Sequence, residues 1–516
     1  MKPNSSISQS PGAFLLFGFL FVVLVAIVLY SPSLQGEFSS LDDDYYIPLI
    51  GGLQGHYGAI FKPGFDPSNY YHPLLFLSLA VDYIFWKSNP VGYHITNLLL
   101  LVVLLYLCLL VSLALCKDPE IALLSLFIFA IHPVHAEGVA WVLGRCHLLG
   151  TLFCMASFYL FIRWEKEKKL FYYFSSVLLF ISALLTQVLT AVLPILILLY
   201  LFSSRSLKKF GEQFRAVVPF FLLVIGFGLL LYISDAFRER MVETQNLPFY
   251  YKLLTSVSLM GQTLKLIFWP VNLCAVYPMK VETSLANPNV IWSLIGILLF
   301  TGGLVYAFIK DKKIFFALGW FLLSSLPLYL RIFFNSNYFL ADRYLFLPSY
   351  GLCLAFGLFY SIIKQKVKML LFIQGLLLLI FSFLSILTLE RATLWSSNFL
   401  LWSDTLQKAP ESYYPHFGLA IVYGKNGLHE KAIEEFKKSL RLMPPNIKES
   451  HIRLAYELYL AGHFEEGIIH AREALKLNPN NYFVQMILKE MIKEKKKQLK
   501  PHQKTGEPVK HLQEKS

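Results

Sequence analysis

The sequence predicts an all-α fold: a polytopic membrane helical bundle followed by a short α-solenoid of repeats. Three observations carry that prediction. The 516 residues are 56% hydrophobic and only 15% charged, whereas soluble domains carry about 25% charged residues. Apolar runs near the ~20 residues needed to cross a bilayer recur along the first three quarters of the chain. From about residue 391 the composition turns polar and the chain repeats itself.

Taken in order, the candidate crossings are 12–31, 92–116, 119–136, 138–163, 170–187, 188–203, 216–234, 289–309, 314–330, 344–363 and 369–388, about eleven in all. The first is longer than the apolar core of a typical cleavable signal. Segments 170–187 and 188–203 almost touch, which predicts a tight helical hairpin. Basic clusters fall at 163-RWEKEKK-169, 205-RSLKKFGEQFR-215, 310-KDKK-313 and 364-KQKVK-368. Placed together on the cytoplasmic side, they put the N-terminus inside and 40-SLDDDYYIPLI-50 outside. Segment 251–270 carries Lys252, Gln262 and Lys265, so it is expected to lie along the outer interface rather than span. The C-terminal region then lies outside too, and a multi-pass protein of the bacterial inner membrane with a periplasmic repeat region is expected.

The repeat is read from 413-YYPHFGLAIVYGKNGLHEKAIEEFKKSLRLMPP and 448-KESHIRLAYELYLAGHFEEGIIHAREALKLNP, offset by 35 residues. Leu419 pairs with Leu454, Ala420 with Ala455, Gly427 with Gly462, Leu440 with Leu475 and Pro444 with Pro479. The tetratricopeptide period is 34, and the Pro444-Pro445 doublet supplies the extra residue. Residues 395–410 resemble a half repeat, 481–497 a capping helix, and 498–516 a basic disordered tail. The expected domains are therefore 1–390, 391–497 and 498–516. The concave face of such a stack suits a protein partner, and it equally suits a plain spacer.

The net charge of +13 is assigned to cytoplasmic loops and the basic tail, not to a nucleic-acid surface. There is no Walker motif and no GxGxxG, so soluble nucleotide binding has no support. The six cysteines sit mostly in apolar runs without CxxC, which points to core residues rather than a disulfide or zinc framework. The 132-HPVH-135 spacing invites a metal reading, but Pro133 points to a loop or helix start instead.

The acids Asp42, Asp43 and Asp44 pose the functional question, because like charges at a membrane border repel. Their plain reading is a solvated juxtamembrane cluster. However, other polar residues gather at predicted outer helix ends: His72, His94, Asn97, 131-IHPVHAEGVAWVLGR-145 and 341-ADRYLFLPS-349. Ionisable groups at membrane depth are costly and mark functional sites. A carboxylate can act as a general base on a hydroxyl, an arginine can hold a phosphate, and aromatic faces can carry a sugar.

With DDDYYI, 71-YHPLLFLSLAVDYIFWKSNPVGYHITNLLL-100, 132-HPVHAEGVAWVLGR-145, 342-DRYLFLPS-349 and the terminal repeats, the chain resembles the transmembrane and tetratricopeptide-repeat O-mannosyltransferases, which have the GT-C glycosyltransferase fold. The resemblance covers almost the whole chain, in the same order. It implies a glycosyltransferase that moves a sugar, such as mannose, from a polyprenyl-phosphate donor to an acceptor hydroxyl (of protein Ser or Thr, for example) on the non-cytoplasmic face. No cofactor is implied; the lipid-linked sugar is itself a substrate. Asp43 maps as the preferred base, Asp42 as its partner and Asp44 as a helper. Arg343 maps onto the phosphate-binding arginine, and Arg145 either shares that role or pairs with Glu137. His72, His94, His135, Glu137 and Tyr344 complete the expected substrate cavity. Two departures stand out. His72-Pro73 replaces the usual Arg-Pro, and Gln187-Val188 replaces a Lys-Glu pair in the turn after the fifth helix. The alternative these departures raise is a catalytically altered, membrane-anchored repeat scaffold that recruits envelope proteins. A transporter of lipid-linked sugars would spread its charges through the midplane instead.

Overall fold

The computed structural model describes residues 11–62, 64–66, 71–204, 207–233, 247–278, 280–333, 340–366, 370–442 and 448–502. Pro444-Pro445, residues 503–516 of the tail and parts of the basic clusters at 205–206 and 367–368 lie outside the described residues. Every regular element described is helical. The chain divides into two compact units, Met1–Ser397 and Asn398–Ser516.

In the first unit, α1 (Pro11–Tyr30) is followed by α2 (Asp43–Gly51), α3 (Pro73–Trp86), α4 (Pro90–Cys116), α5 (Pro119–Ile131) and the single turn α6 (Ala136–Ala140). Then come α7 (Arg145–Glu167), α8 (Leu170–Leu184), α9 (Leu193–Ser204), α10 (Leu207–Ile233), α11 (Phe249–Phe268), α12 (Pro288–Lys310), α13 (Lys312–Leu330), α14 (Phe346–Lys366) and α15 (Leu370–Leu394). Among the described residues eight helices are long and apolar enough to cross a membrane, nine if α5 and the bent turn after it form one span. The expected crossings at 170–187 and 188–203 are the shorter apolar helices α8 and α9. The starts of these helices follow from local chemistry. Asp118 caps α5 through its carboxylate, which accepts from the Glu120 and Ile121 amides. Asn89, Asn287 and Asp311 cap α4, α12 and α13 in the same way, each satisfying amides that a helix leaves open.

The basic clusters collect at one end of the bundle. Lys166 at the end of α7 donates to the Ala114 carbonyl at the end of α4 (3.1 Å), and Lys313 donates to the Cys116 carbonyl (3.3 Å). Lys364 near the end of α14 pairs with Glu120 at the start of α5 (2.6 Å), and Gln213 of α10 donates to Glu165 (2.9 Å). At the opposite end the α4 start, the α5 end, α6 and the α7 start meet. There Asn97 donates to the Val139 and Trp141 carbonyls at 3.0 and 3.1 Å. Helix α11 belongs to that second end throughout. Near its start Ser256 donates to the Tyr329 carbonyl (2.9 Å), and near its finish the Ile267 carbonyl meets His132 (3.0 Å). Both partners lie at the same end of the bundle.

The second unit stacks α16 (Asn398–Lys408), α17 (Tyr413–Lys425), α18 (His429–Leu442), α19 (Lys448–Leu460), α20 (Phe464–Leu477) and α21 (Tyr482–His502). The paired residues Leu419, Ala420, Leu454 and Ala455 are all buried. Gly427 and Gly462 take φ of +72° and +81° at equivalent turns, where a side chain would be strained. Trp402 of α16 packs on Gly418, and α21 closes the stack with Met491 against Gly467.

The six cysteines are buried free thiols, so single engineered cysteines report topology cleanly. Cysteines placed at the exposed Lys87 and Lys312 should react with an impermeant maleimide from opposite sides of the membrane; labelling of both from one side would refute this arrangement.

Candidate functional site

The site builds up at the end opposite the basic clusters. Asp42 begins α2: its backbone carbonyl accepts from the Tyr45 and Tyr46 amides, while its side chain makes no capping bond. The Asp42 side chain is accessible to solvent, yet much protein surrounds it. The surrounding protein raises its pKa to about 6, with Arg343 pulling it down and Asp66 pushing it up. Asp42 and Arg343 are thus close enough for their charges to act on each other, and they share one end of the bundle.

Asp43 does something different. It is 1% exposed, and its two oxygens accept from the Ser39 amide (2.9 Å) and the Leu143 amide (3.1 Å). Burial lifts its pKa to about 8 against the pull of those amides. The expected base, Asp43, is thus closed off from solvent here: its carboxyl ties the loop after α1 to the loop before α7. Asp44 is half-buried on the first turn of α2. Sequence reading also missed Asp66, which is buried and accepts from Tyr46 Oη at 2.6 Å.

Arg343 sits in a helical turn just before α14. Its guanidinium pairs with Glu137 of α6, which is wholly buried, and the Arg343 amide donates to the other Glu137 oxygen (2.9 Å). Glu137 holds the arginine in place. Arg343 also lies over the rings of Trp141 (5.1 Å) and Tyr344 (5.0 Å). Two groups that the sequence reading did not single out join it. Arg331, at the end of α13, donates to Tyr344 Oη at 2.8 Å. His147, on the first turn of α7, packs edge-on against Tyr344 with centroids 5.2 Å apart. His147 lies within electrostatic reach of Arg343, His72 and Arg331. The departure at Gln187 falls in this place too. Its amide nitrogen is 3.2 Å from both His147 ring nitrogens, because the α8–α9 turn packs closely on α7, where a Cβ on Gly150 would come within 2.7 Å of Gln187 Cβ. The turn that lacks a Lys-Glu pair still meets the site, through an imidazole.

Other expected residues turn out to be structural. Arg145 has no exposed side chain and pairs with Asp82 at 2.6 Å. Its Nε donates to Asn97 (2.6 Å) and its Nη2 to the Tyr93 carbonyl (2.9 Å). It neither reaches Glu137 nor faces a phosphate; it fastens α7 to α3 and α4. His94 is buried, with Nε2 against Gly36. His135 bridges the Phe129 carbonyl (2.7 Å) and Ser349 Oγ (2.8 Å) inside the core. Arg145 and His135 thus spend their polar atoms on partners within the fold, and His94 is enclosed by packing. His72 is half-buried at the start of α3. His132 holds the Ile267 carbonyl, and among the described residues no three His, Cys, Asp or Glu converge as metal ligands. Tyr277, after α11, donates to Asp342.

No protein-family model matches the chain. It is 26% identical over 451 residues to the protein O-mannosyl-transferase F38B6.6 of Caenorhabditis elegans, covering 82% of this chain and 62% of that protein. With human protein O-mannosyl-transferase TMTC4 the identity is 25% over 494 residues, 81% of this chain and 65% of that one; with human TMTC3 it is 24% over 423 residues, 73% and 45%. Its curated homologues are TMTC-type O-mannosyl-transferases. The chain spans about half to two thirds of the length of these relatives. Among solved structures, an Archaeoglobus fulgidus oligosaccharyltransferase tethered to an acceptor peptide aligns with 74% of this chain and 55% of its own, at 13% identity and a TM-score of 0.44, a likeness too loose to argue from.

Breaking the Arg145–Asp82 pair leaves a buried charge without its partner, which costs roughly 3–5 kcal/mol. Asp82→Asn should lower the thermal stability of the detergent-purified chain by that order, read from a melting curve, whereas Asp82 lying outside a working ion pair would leave the melting temperature unchanged.

Proposed function

We propose that this chain is an integral membrane glycosyltransferase that moves a sugar from a polyprenyl-phosphate donor to an acceptor hydroxyl, such as that of a protein Ser or Thr. The observation that carries the reading is one accessible carboxylate, Asp42, within electrostatic reach of Arg343 at the end of the bundle away from the basic loops. The homology to O-mannosyl-transferases supports the same class, and mannose is the sugar those names suggest.

Each step falls to a residue in place. Asp42 takes the proton of the acceptor hydroxyl. The acceptor oxygen attacks the anomeric carbon, the bond from that carbon to the phosphate oxygen breaks, and the electron pair leaves with the phosphate. Arg343, held by Glu137, and Arg331, held by Tyr344, stabilise the phosphate as its charge grows. His147 and His72 complete the rim. Asp43 keeps the Asp42 loop in register. By the distribution of basic residues, this end of the bundle faces away from the cytoplasm, and the repeats follow on that side, in the periplasm if the membrane is a bacterial inner membrane. The repeat unit offers a surface for the acceptor or for a protein partner.

Asp42→Asn should abolish transfer of a labelled sugar from a polyprenyl-phosphate donor in membranes, with expression unchanged. Asp43→Asn should instead lower the yield of folded protein. A base works only when deprotonated, and the Asp42 pKa is raised to about 6. Transfer should therefore rise with pH through about 6 and level off above it. An Asp42→Asn chain with wild-type turnover sinks the assignment, and a wild-type chain with none leaves the scaffold reading suggested by Gln187-Val188.

A further inference from the structure

A run of stacked groups crosses from Arg343 to the end of the last membrane helix. Arg343 lies over the Trp141 ring at 5.1 Å. Trp141 stacks on Trp395, with centroids 6.0 Å apart and planes 21° from parallel. Arg391, on the last turn of α15, lies over Trp395 at 5.7 Å. Both indoles are buried, at 7% and 4% exposure. Among the described residues neither indole N–H has a hydrogen-bond partner, so the rings contribute their faces. The two arginines each have a carboxylate as well: Glu137 for Arg343, and Asp342, the residue immediately before Arg343, for Arg391 at 3.4 Å. Asp342 is fully buried and also accepts from Tyr277. The turn carrying Arg343 is thus gripped at its first residue by the end of α15 and at its second by α6.

We infer that Trp395 and Arg391 are positioning residues that hold Arg343 in its phosphate-facing pose. The physical case rests on burial. A guanidinium over an aromatic face is attracted by the ring's negative π cloud, and more strongly where water is excluded. Two offset-stacked indoles transmit position because the layer cannot slide without losing contact on both sides. Glu137 alone fixes one end of the guanidinium; the Trp141 face, backed by Trp395, fixes its plane. Arg391 and Trp395 lie in the stretch just before the second unit begins at Asn398. The end of the last membrane helix is therefore part of the binding apparatus at one remove. The inference rests on Arg343 being the phosphate-binding group proposed above.

Two measurements on the full chain in nanodiscs test it. Hydrogen exchange of the peptide spanning 341–345 should speed up in Trp395→Ala and in Arg391→Gln, with exchange across α7 unchanged, and should stay at the wild-type rate in Trp395→Phe, which keeps a ring face and forfeits no hydrogen bond. The Kd for a short-chain polyprenyl phosphate should rise about tenfold in the Ala and Gln variants, as for loss of a desolvated cation–π support, and remain near wild type in Phe. Wild-type exchange at 341–345 in Trp395→Ala overturns the inference, and so does a Phe variant as impaired as Ala. If the wild-type chain binds no polyprenyl phosphate, the phosphate reading fails, and the exchange rates alone decide the positioning role.

Discussion

The buried pair of Glu137 and Arg343 is the interaction on which the site depends. Glu137 has no solvent exposure, and a carboxylate in such a place is tolerable only with a cation and hydrogen-bond donors around it. Arg343 supplies both, through its guanidinium and through its own backbone amide. Because one residue provides two contacts, the turn before α14 cannot shift away from α6 without orphaning the charge. That fixed turn places Tyr344 between Arg331 and His147 and keeps Arg343 within electrostatic reach of Asp42. A membrane-embedded bundle has little else with which to orient polar groups, since apolar packing is indifferent to the direction of a side-chain tip.

The three adjacent aspartates illustrate how a helix start divides like charges. Successive residues at a helix start point about 100° apart. Asp42 stays accessible to solvent, Asp43 turns inward to two backbone amides, and Asp44 takes a half-buried position on the first turn of α2. Adjacent charges that would repel in an extended chain are separated by direction and by environment. The same burial that makes Asp43 a structural tie raises the pKa of Asp42 less, because Asp42 keeps its opening and the nearby arginine. One acid becomes a brace while its neighbour stays accessible, from a difference in direction and surroundings.

Helix boundaries and repeats were legible because they rest on local signals: apolar length, caps and an offset of 35 residues in the repeat. The amphipathic reading of 251–270 rests on the same kind of signal, since Lys252, Gln262 and Lys265 on one segment argue against spanning whatever surrounds it. Several residue roles were not legible. Arg145 and Arg343 look alike in a list of polar positions at outer helix ends, and only their partners tell them apart: Asp82 encloses the first, while Glu137 leaves the second 21% exposed. His135 and His94 carried a catalytic residue type but lie against groups far from them in sequence. Arg331 and His147 gave no motif signal. Their relevance comes from meeting at one tyrosine ring from helices almost two hundred residues apart.

What the sequence by itself determined is the all-helical, many-span architecture, the side of the bundle that gathers lysines, the repeat unit and the neighbourhood of the acids. Each of these follows from composition and spacing along the chain. What only the tertiary structure decided is which acid is open, which arginine keeps some exposure, and that Gln187 meets His147. These depend on which distant side chains exclude water from a given atom, and no local pattern records that.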